Sequence, residues 1–260
     1  MNTPSSSPRR LFWELALALA EREFKGQYRK SLLGPVWAVV QPLGYLAFFF
    51  LLRGVFTIDT GDTPYAVFAL AGLVPWTFFA NAVSRGGPSI GGNASLLKKM
   101  AVVREVFPLA AVMVSLVDLA VALLLLMAAL LWLGGTPGWA WLWLGPLAGL
   151  TALLALGVAM GVAAVGTYRR DLLFAMPFLL QFWLLATPVV YPLERVPAAW
   201  REWFAWNPMT GIVEGFRAVL VHGAAPDPSL LALSVVGTAV VWLVAWPLFR
   251  LLSQYFADVL

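Results

Sequence analysis

Apolar residues gather in six long stretches separated by short polar joints, and this pattern governs how the rest of the chain is read. Crossing about 30 Å of hydrocarbon takes roughly 20 helical residues. The stretches at 36–56, 65–84, 107–133, 140–166, 172–191 and 229–251 meet that length. The second is the least uniform, because Pro75 and Asn81 interrupt it. A proline is tolerated in a span where neighbouring helices satisfy the freed carbonyl.

Two segments outside these stretches have a different rhythm. At about 100° per residue, Glu14, Glu21, Arg22, Lys25 and Arg29 collect on one arc, and Phe12, Trp13, Leu15, Leu19 and Phe24 spread over the other. This predicts an amphipathic helix over 11–33 that lies at the headgroup boundary, following a disordered polar tail at 1–10. Further on, Pro197, Arg201, Glu202, Asn207-Pro208, Glu214 and Arg217 interrupt the chain too often for a crossing. Trp200, Trp203, Phe204, Trp206, Met209, Ile212, Val213 and Phe216 nevertheless predict two short amphipathic helices within 193–220, around the Asn207-Pro208 break. Such a pair dips into the outer leaflet and returns. The expected fold is therefore an all-α integral membrane protein. It has an N-terminal interfacial helix followed by one domain at 34–260, which holds six spans and two short extracytoplasmic helices before the last span.

Composition agrees with a chain solvated by lipid. Of the 260 residues, 61% are hydrophobic and 12% charged, with a mean hydropathy of +0.83, too few polar side chains to cover a soluble globule. The absence of cysteine excludes disulfides, thiolate nucleophiles and cysteine metal sites, and the single histidine, His222, leaves little imidazole chemistry. The net charge of +4 reads as topology. Without a basic patch interleaved with aromatics, it does not indicate nucleic-acid binding. Arg9, Arg10, Arg22, Lys25, Arg29, Lys30, Arg85, Lys98, Lys99, Arg104, Arg169, Arg170 and Arg250 fall on one side of the predicted membrane, and Arg53, Arg195, Arg201 and Arg217 on the other. The positive-inside rule then places both termini in the cytoplasm.

No Gly-x-x-x-x-Gly-Lys-Ser/Thr loop occurs, so any ATP used is bound by another polypeptide. The glycines of Gly86-Gly87-Pro88-Ser89-Ile90-Gly91-Gly92 read as a flexible cytoplasmic connection. Gly157 and Gly161 have the small-residue spacing that lets helices approach closely, with packing inside the chain favoured over a dimer seam. Asp118 is the one carboxylate deep in a predicted span. A hydrogen-bonded structural role, a transport-path role and a proton role all remain open for it.

Several short motifs recur in a fixed order. They are Leu33-Gly34-Pro35-Val36-Trp37 with Gln41-Pro42; Leu73-Val74-Pro75-Trp76-Thr77-Phe78-Phe79 with Asn81; Asn93 to Lys98 with Arg104-Glu105; Tyr168-Arg169-Arg170-Asp171; Thr187-Pro188-Val189-Val190-Tyr191-Pro192; and Asn207-Pro208-Met209 with Glu214-Gly215-Phe216-Arg217. Together they resemble the membrane subunit of ABC-2 type polysaccharide exporters, the group that exports O-antigen, capsule and teichoic-acid polymers, and they look most like its O-antigen branch. Val102-Val103 stands where that family has an aromatic-proline pair, so the chain is expected to leave this segment at a different angle.

The resemblance implies a transporter subunit of the bacterial inner membrane, not an enzyme. It would work as a homodimer with two copies of a separate nucleotide-binding subunit that carries ATP and Mg. Its cargo would be a lipid-linked polysaccharide passing through a channel at the dimer seam. The coupling segment at 85–106, through Asn93, Leu96, Leu97, Lys98, Lys99, Arg104 and Glu105, would receive the motor's motion together with Glu21 and Lys25. Gly34, Pro35 and Trp37 would form the elbow into the first span. Trp203, Trp206, Asn207, Pro208, Glu214 and Arg217 would belong to an outer gate. Arg22, Arg29 and Lys30 suit a lipid pyrophosphate, although positive-inside anchoring explains the same charges. Sugars present apolar C–H faces, so Phe48, Phe49, Phe50, Trp76, Phe78, Phe79, Phe182 and Trp183 are candidate channel rings, with lipid contact or packing as the other reading. The competing functions are an ABC-2 permease for a drug or small lipid and a membrane-bound glycosyl- or phosphotransferase. The transferase would need clustered carboxylates or a histidine base, and the acids here are scattered.

Overall fold

A computed structural model describes residues 8–28, 64–99, 102–133 and 138–260, with short helical pieces between 36 and 51. Arg29, Lys30, Gly34, Pro35, Phe49, Phe50, Arg53 and most of the predicted first span lie outside the described residues. All regular structure among the described residues is helical. The longer helices are α1 (Pro8–Tyr28), α2 (Tyr65–Gly86), α5 (Val106–Trp132), α6 (Leu144–Tyr168), α7 (Arg170–Leu185), α8 (Ala198–Trp206), α9 (Pro208–Leu220) and α10 (Pro228–Ser253). Short turns α3 (Ser89–Gly92) and α4 (Ala94–Lys99) join α2 to α5, α11 (Phe256–Val259) closes the chain, and a 3-10 turn, Trp139–Trp143, leads into α6.

Four segments are long and apolar enough to cross a membrane: Tyr65–Gly86, Val106–Trp132, Trp139–Tyr168 and Pro228–Ser253. Their limits fall within two residues of the stretches read from the apolar pattern. The stretch predicted at 172–191 differs, being helical for only 16 residues, Arg170–Leu185. Pro188 lacks an amide donor and disfavours helical geometry at Thr187, so the chain turns out of the helix there.

The helices alternate in direction and share two ends. The basal end holds α1, the 85–106 connection, the 168–170 turn and α11; the distal end holds the 186–197 turn, α8 and α9. α2 is the central helix, with 72% of its apolar window buried, whereas α10 has only 17% of its window buried and lies at the periphery. One apolar core surrounds α2 and includes Phe79, Leu119, Leu147, Leu154, Ile212 and Phe216. A second, at the basal end, joins Ala16 and Leu19 of α1 to Phe107, Ala110, Met160, Phe249 and Phe256. α1 is therefore docked on the bundle through Ala16 and Leu19, while Leu11, Trp13 and Leu17 remain exposed.

Glycine sets two of the close crossings. A Cβ at Gly157 would lie 3.0 Å from Val241 Cγ1 and 3.2 Å from Trp242 Nε1, so the Gly157 face of α6 receives α10 of the same chain. Trp242 Nε1 also donates to the Leu153 carbonyl at 2.9 Å. Gly86 corrects the reading of 86–92 as a loose connection, because its Cβ position is 2.6 Å from Ala159 Cβ and the end of α2 is pressed onto α6. Side chains placed at Gly91 or Gly92 would meet nothing within 4 Å.

Gly157→Leu is expected to overpack the α6–α10 crossing and cost about 1–3 kcal/mol. Gly149→Leu, at a position with open space around its Cβ, should be neutral. Thermal unfolding of the two variants in the same detergent checks this pair.

Candidate functional site at the two ends of the bundle

At the basal end, α1 is stitched to the 85–106 connection. The Arg22 guanidinium donates to Asn93 Oδ1, and Asn93 Nδ2 donates to the Ser89 carbonyl at 2.8 Å. Two residues expected in different roles, headgroup contact and coupling, are thus bonded to each other. Glu23, which the sequence did not single out, sits beside them. Burial pushes its carboxyl above the usual carboxylate range, against the pull of Arg22, Arg85 and a hydrogen bond from Asn93. Leu96 and Leu97 pack against the basal core, and Lys98 and Lys99 are exposed at the end of α4. Glu21 and Lys25 pair with each other on the exposed face of α1. Arg104 and Glu105 are half-buried, with Arg250 Nε 4.0 Å from Glu105 Oε1.

Arg85, at the last turn of α2, reaches across to α5. Its Nη1 lies 2.9 Å from Asp118 Oδ2 and donates to Ser115 Oγ at 3.2 Å. The carboxylate left open by the sequence therefore has a cationic partner, and the pair bolts α2 to α5. The sequence carried the signal: an acid at membrane depth calls for a countercharge, and Arg85 terminates the adjacent span. Distance along the chain hid the pairing, 33 residues apart.

One turn before Arg85, Asn81 Nδ2 donates to Gln41 Oε1 at 3.0 Å, tying the segment after the elbow to α2. An open pocket of about 540 Å³ is lined by Trp37, Gln41, Tyr45, Phe48 and Gln181, among others. Of the candidate channel rings, Phe48 and Phe182 are exposed. Trp76, Phe78 and Phe79 correct the expectation: they are at most 3% exposed and belong to the core around α2, so they pack the protomer and do not line its surface. Trp183 is half-buried, edge-on to Phe79 at 5.0 Å.

At the distal end, Asn207 is a junction. Its Oδ1 accepts from Trp183 Nε1 at 3.0 Å and from the Met209 amide at 3.1 Å, capping α9. Its Nδ2 donates to the Ala186 carbonyl at 3.1 Å and to Thr187 Oγ1 at 2.8 Å. The Thr187-Pro188 and Asn207-Pro208 motifs therefore meet in space. Pro208 occupies the first turn of α9, where its missing donor costs nothing.

Arg217 is 1% exposed. It pairs with Glu214 at 2.7 Å, donates to the Val189 carbonyl and, at 3.4 Å, to the Phe68 carbonyl, and stacks on the Phe68 ring at 3.8 Å. Tyr65 Oη adds a bond to the Val190 carbonyl at 3.2 Å. Burial works against both charges of the pair, raising Glu214 and lowering Arg217, and each is the other's electrostatic offset. Trp203 and Trp206, also expected at this gate, are exposed on α8.

A double-mutant cycle with Arg85→Gln and Asp118→Asn should show coupling of about 1–2 kcal/mol. Arg85 is partly solvated, which screens the pair and limits the coupling. Additive single-variant losses in denaturant unfolding would contradict the pairing. Glu23 gives a pH signature. Because its folded-state carboxyl is raised, its favourable contribution is complete below the unfolded carboxyl range and is lost as pH rises through the raised value. Glu23→Gln should therefore match the parent in melting temperature near pH 4 and exceed it at pH 7 to 8.

The chain is 29% identical over 248 residues to the O-antigen export system permease protein RfbA of Myxococcus xanthus, covering 94% of each chain. It is 25% identical over 252 residues to the protein of the same name from Klebsiella pneumoniae, covering 95% of each. The polysialic acid transport protein KpsM of Escherichia coli is 26% identical over 217 residues, 79% of this chain and 81% of the relative. Residues 14–221, which run from α1 through α9, match the model of the ABC-2 type transporter family. The stitched basal end, the central α2 and the buried distal cluster all lie within that match, and the chain belongs to the ABC-2 type transporter membrane family.

Proposed function

We propose that this chain is the membrane subunit of an ATP-driven exporter that moves a lipid-linked, O-antigen-like polysaccharide across the bacterial cytoplasmic membrane. The observation that carries this reading is end-to-end similarity to O-antigen export permeases, over 94% and 95% of both chains. Two copies of the chain would enclose the channel, and two copies of a separate subunit would bind ATP and Mg. With the apolar stretch at 36–56 and the region of α7 as two further crossings, the chain would cross the membrane six times, with the basal end and both termini in the cytoplasm and the distal end outside.

In this account the charged basal face meets the motor. Lys98, Lys99, Glu21 and Lys25 present exposed charge there. The Arg22–Asn93 bond makes α1 follow any push on the connection between α2 and α5. Arg104 and Glu105 carry the same motion into the foot of α5. Arg29 and Lys30, just past α1, suit the pyrophosphate of a lipid carrier at the inner leaflet. The open pocket beside Phe48 and Gln181, with Phe182 nearby in sequence on α7, offers an aromatic, weakly polar wall of the kind that lets successive sugars slide.

Loss of the gene in its own bacterium should abolish surface polysaccharide and leave lipid-linked polymer inside the cell, and the intact chain should restore export. A Lys98→Glu, Lys99→Glu chain should insert normally, lose co-purification with the ATPase subunit and restore less than a tenth of surface polymer. Unchanged surface polymer after gene loss would overturn the proposal, as would purification of the chain with intrinsic sugar-transfer activity and no ATPase.

A further inference from the structure

We propose that the distal face is divided into a fixed half and a moving half, with Arg217 as the positioning residue that holds α9 in place and Asn207 as the pivot from which α8 swings. The inference rests on the reading of 193–220 as an outer gate. α8 and α9 are consecutive helices of opposite attachment. In α9, 10 of 13 residues are buried; in α8, none of the nine residues is. α8 touches α9 and α10 without burying a side chain in either.

The contacts of Arg217 explain the difference. One guanidinium holds three elements: its own helix through Glu214, the 186–191 turn through the Val189 carbonyl, and the first turn of α2 through the Phe68 carbonyl and ring. Its place is made by Gly72, where a Cβ would stand 2.7 Å from the Val189 oxygen and 3.1 Å from Arg217 Nη2. Releasing α9 takes this buried cation away from the Val189 and Phe68 carbonyls and the Phe68 ring and leaves it only Glu214 of its own helix, which is heavily penalised at a buried site. Moving α8 breaks none of these bonds. Its polar ties run from Arg201 Nη2 to the carbonyls of Glu194, at 3.0 Å, and Val196, at 3.3 Å, both in the strap that leads into α8 itself. Leu193 and Val196 are buried, so the strap stays on the bundle and α8 leaves it by giving up only these two carbonyl bonds. The break in helix geometry falls at Asn207, whose φ of −67° and ψ of 117° are extended, and whose side chain is anchored to the end of α7. Rearrangement of the gate is thus a swing of α8, 198–206, between the strap and Asn207, while α9 stays with α2.

The chain has no cysteine, so label pairs can be introduced directly. In lipid nanodiscs, spin labels at Glu202→Cys with Val236→Cys report α8 against α10, and Ala218→Cys with Val236→Cys report α9 against α10. Double electron–electron resonance should give a distance distribution at least twice as wide for the first pair as for the second. Arg217→Met should widen the second pair to match the first. Arg217→Lys, which keeps the cation but not the forked donors, should widen it by an intermediate amount. Equal widths in the parent chain overturn the division, and a second pair unmoved by either substitution removes Arg217 from the role. If Arg217→Met does not fold, the parent comparison and Arg217→Lys still decide. The distances are read without transport. A chain that shows them and fails to export removes the export reading and leaves the division standing, whereas a chain that exports with equal widths removes only the division.

Discussion

The Arg217 guanidinium is buried, and the bonds it makes organise the distal end of the molecule. A buried cation is retained only if it is paired and hydrogen-bonded, so the Val189 carbonyl, the Phe68 carbonyl and Glu214 become parts of one cluster. Near the other end of α2, Arg85 performs a related task in a wetter setting by bridging to Asp118 and Ser115 on α5. In hydrocarbon, apolar side chains gain little by choosing protein over lipid. The polar anchors at both ends of α2 therefore supply much of what makes the helix arrangement specific.

Between the anchors, the fit is made by shape. Gly157 admits α10, Gly86 admits Ala159, and Trp76, Phe78 and Phe79 fill the space around α2. The consequence for function is a central element that both ends grip. The Arg22–Asn93 stitch reaches the foot of α2 through Ser89, whose hydroxyl donates to the Gly86 carbonyl, and the other end of α2 carries the Arg217 cluster.

Much of this was legible in the sequence, and the parts that were not share a cause. Apolar stretch length gave four helices within two residues of their ends, because a bilayer imposes one length on every span. The Asn207-Pro208 break was readable for a similar reason, since a cap residue followed by proline starts a helix wherever it occurs. Pairings were not readable. Asp118 with Arg85, Arg22 with Asn93 and Asn207 with Thr187 join residues 20 to 71 positions apart, and no local pattern encodes which helix faces which. For the aromatic residues of 76–79 the sequence leaves channel rings and packing both open, because ring chemistry suits sugars and a core equally well, and burial decides for packing. The end of α7 was overestimated because apolarity continues to Val190 while Thr187-Pro188 has already turned the chain.

The central claim is that polar anchors hold both ends of α2, and amide hydrogen exchange in lipid nanodiscs tests it most directly. Helix ends normally fray, with opening free energies near zero. The account predicts that peptides covering the first and last two turns of α2, 65–72 and 80–86, exchange far more slowly than α8 and close to the rate of the helix centre. Ends of α2 that exchange as fast as α8 would contradict it.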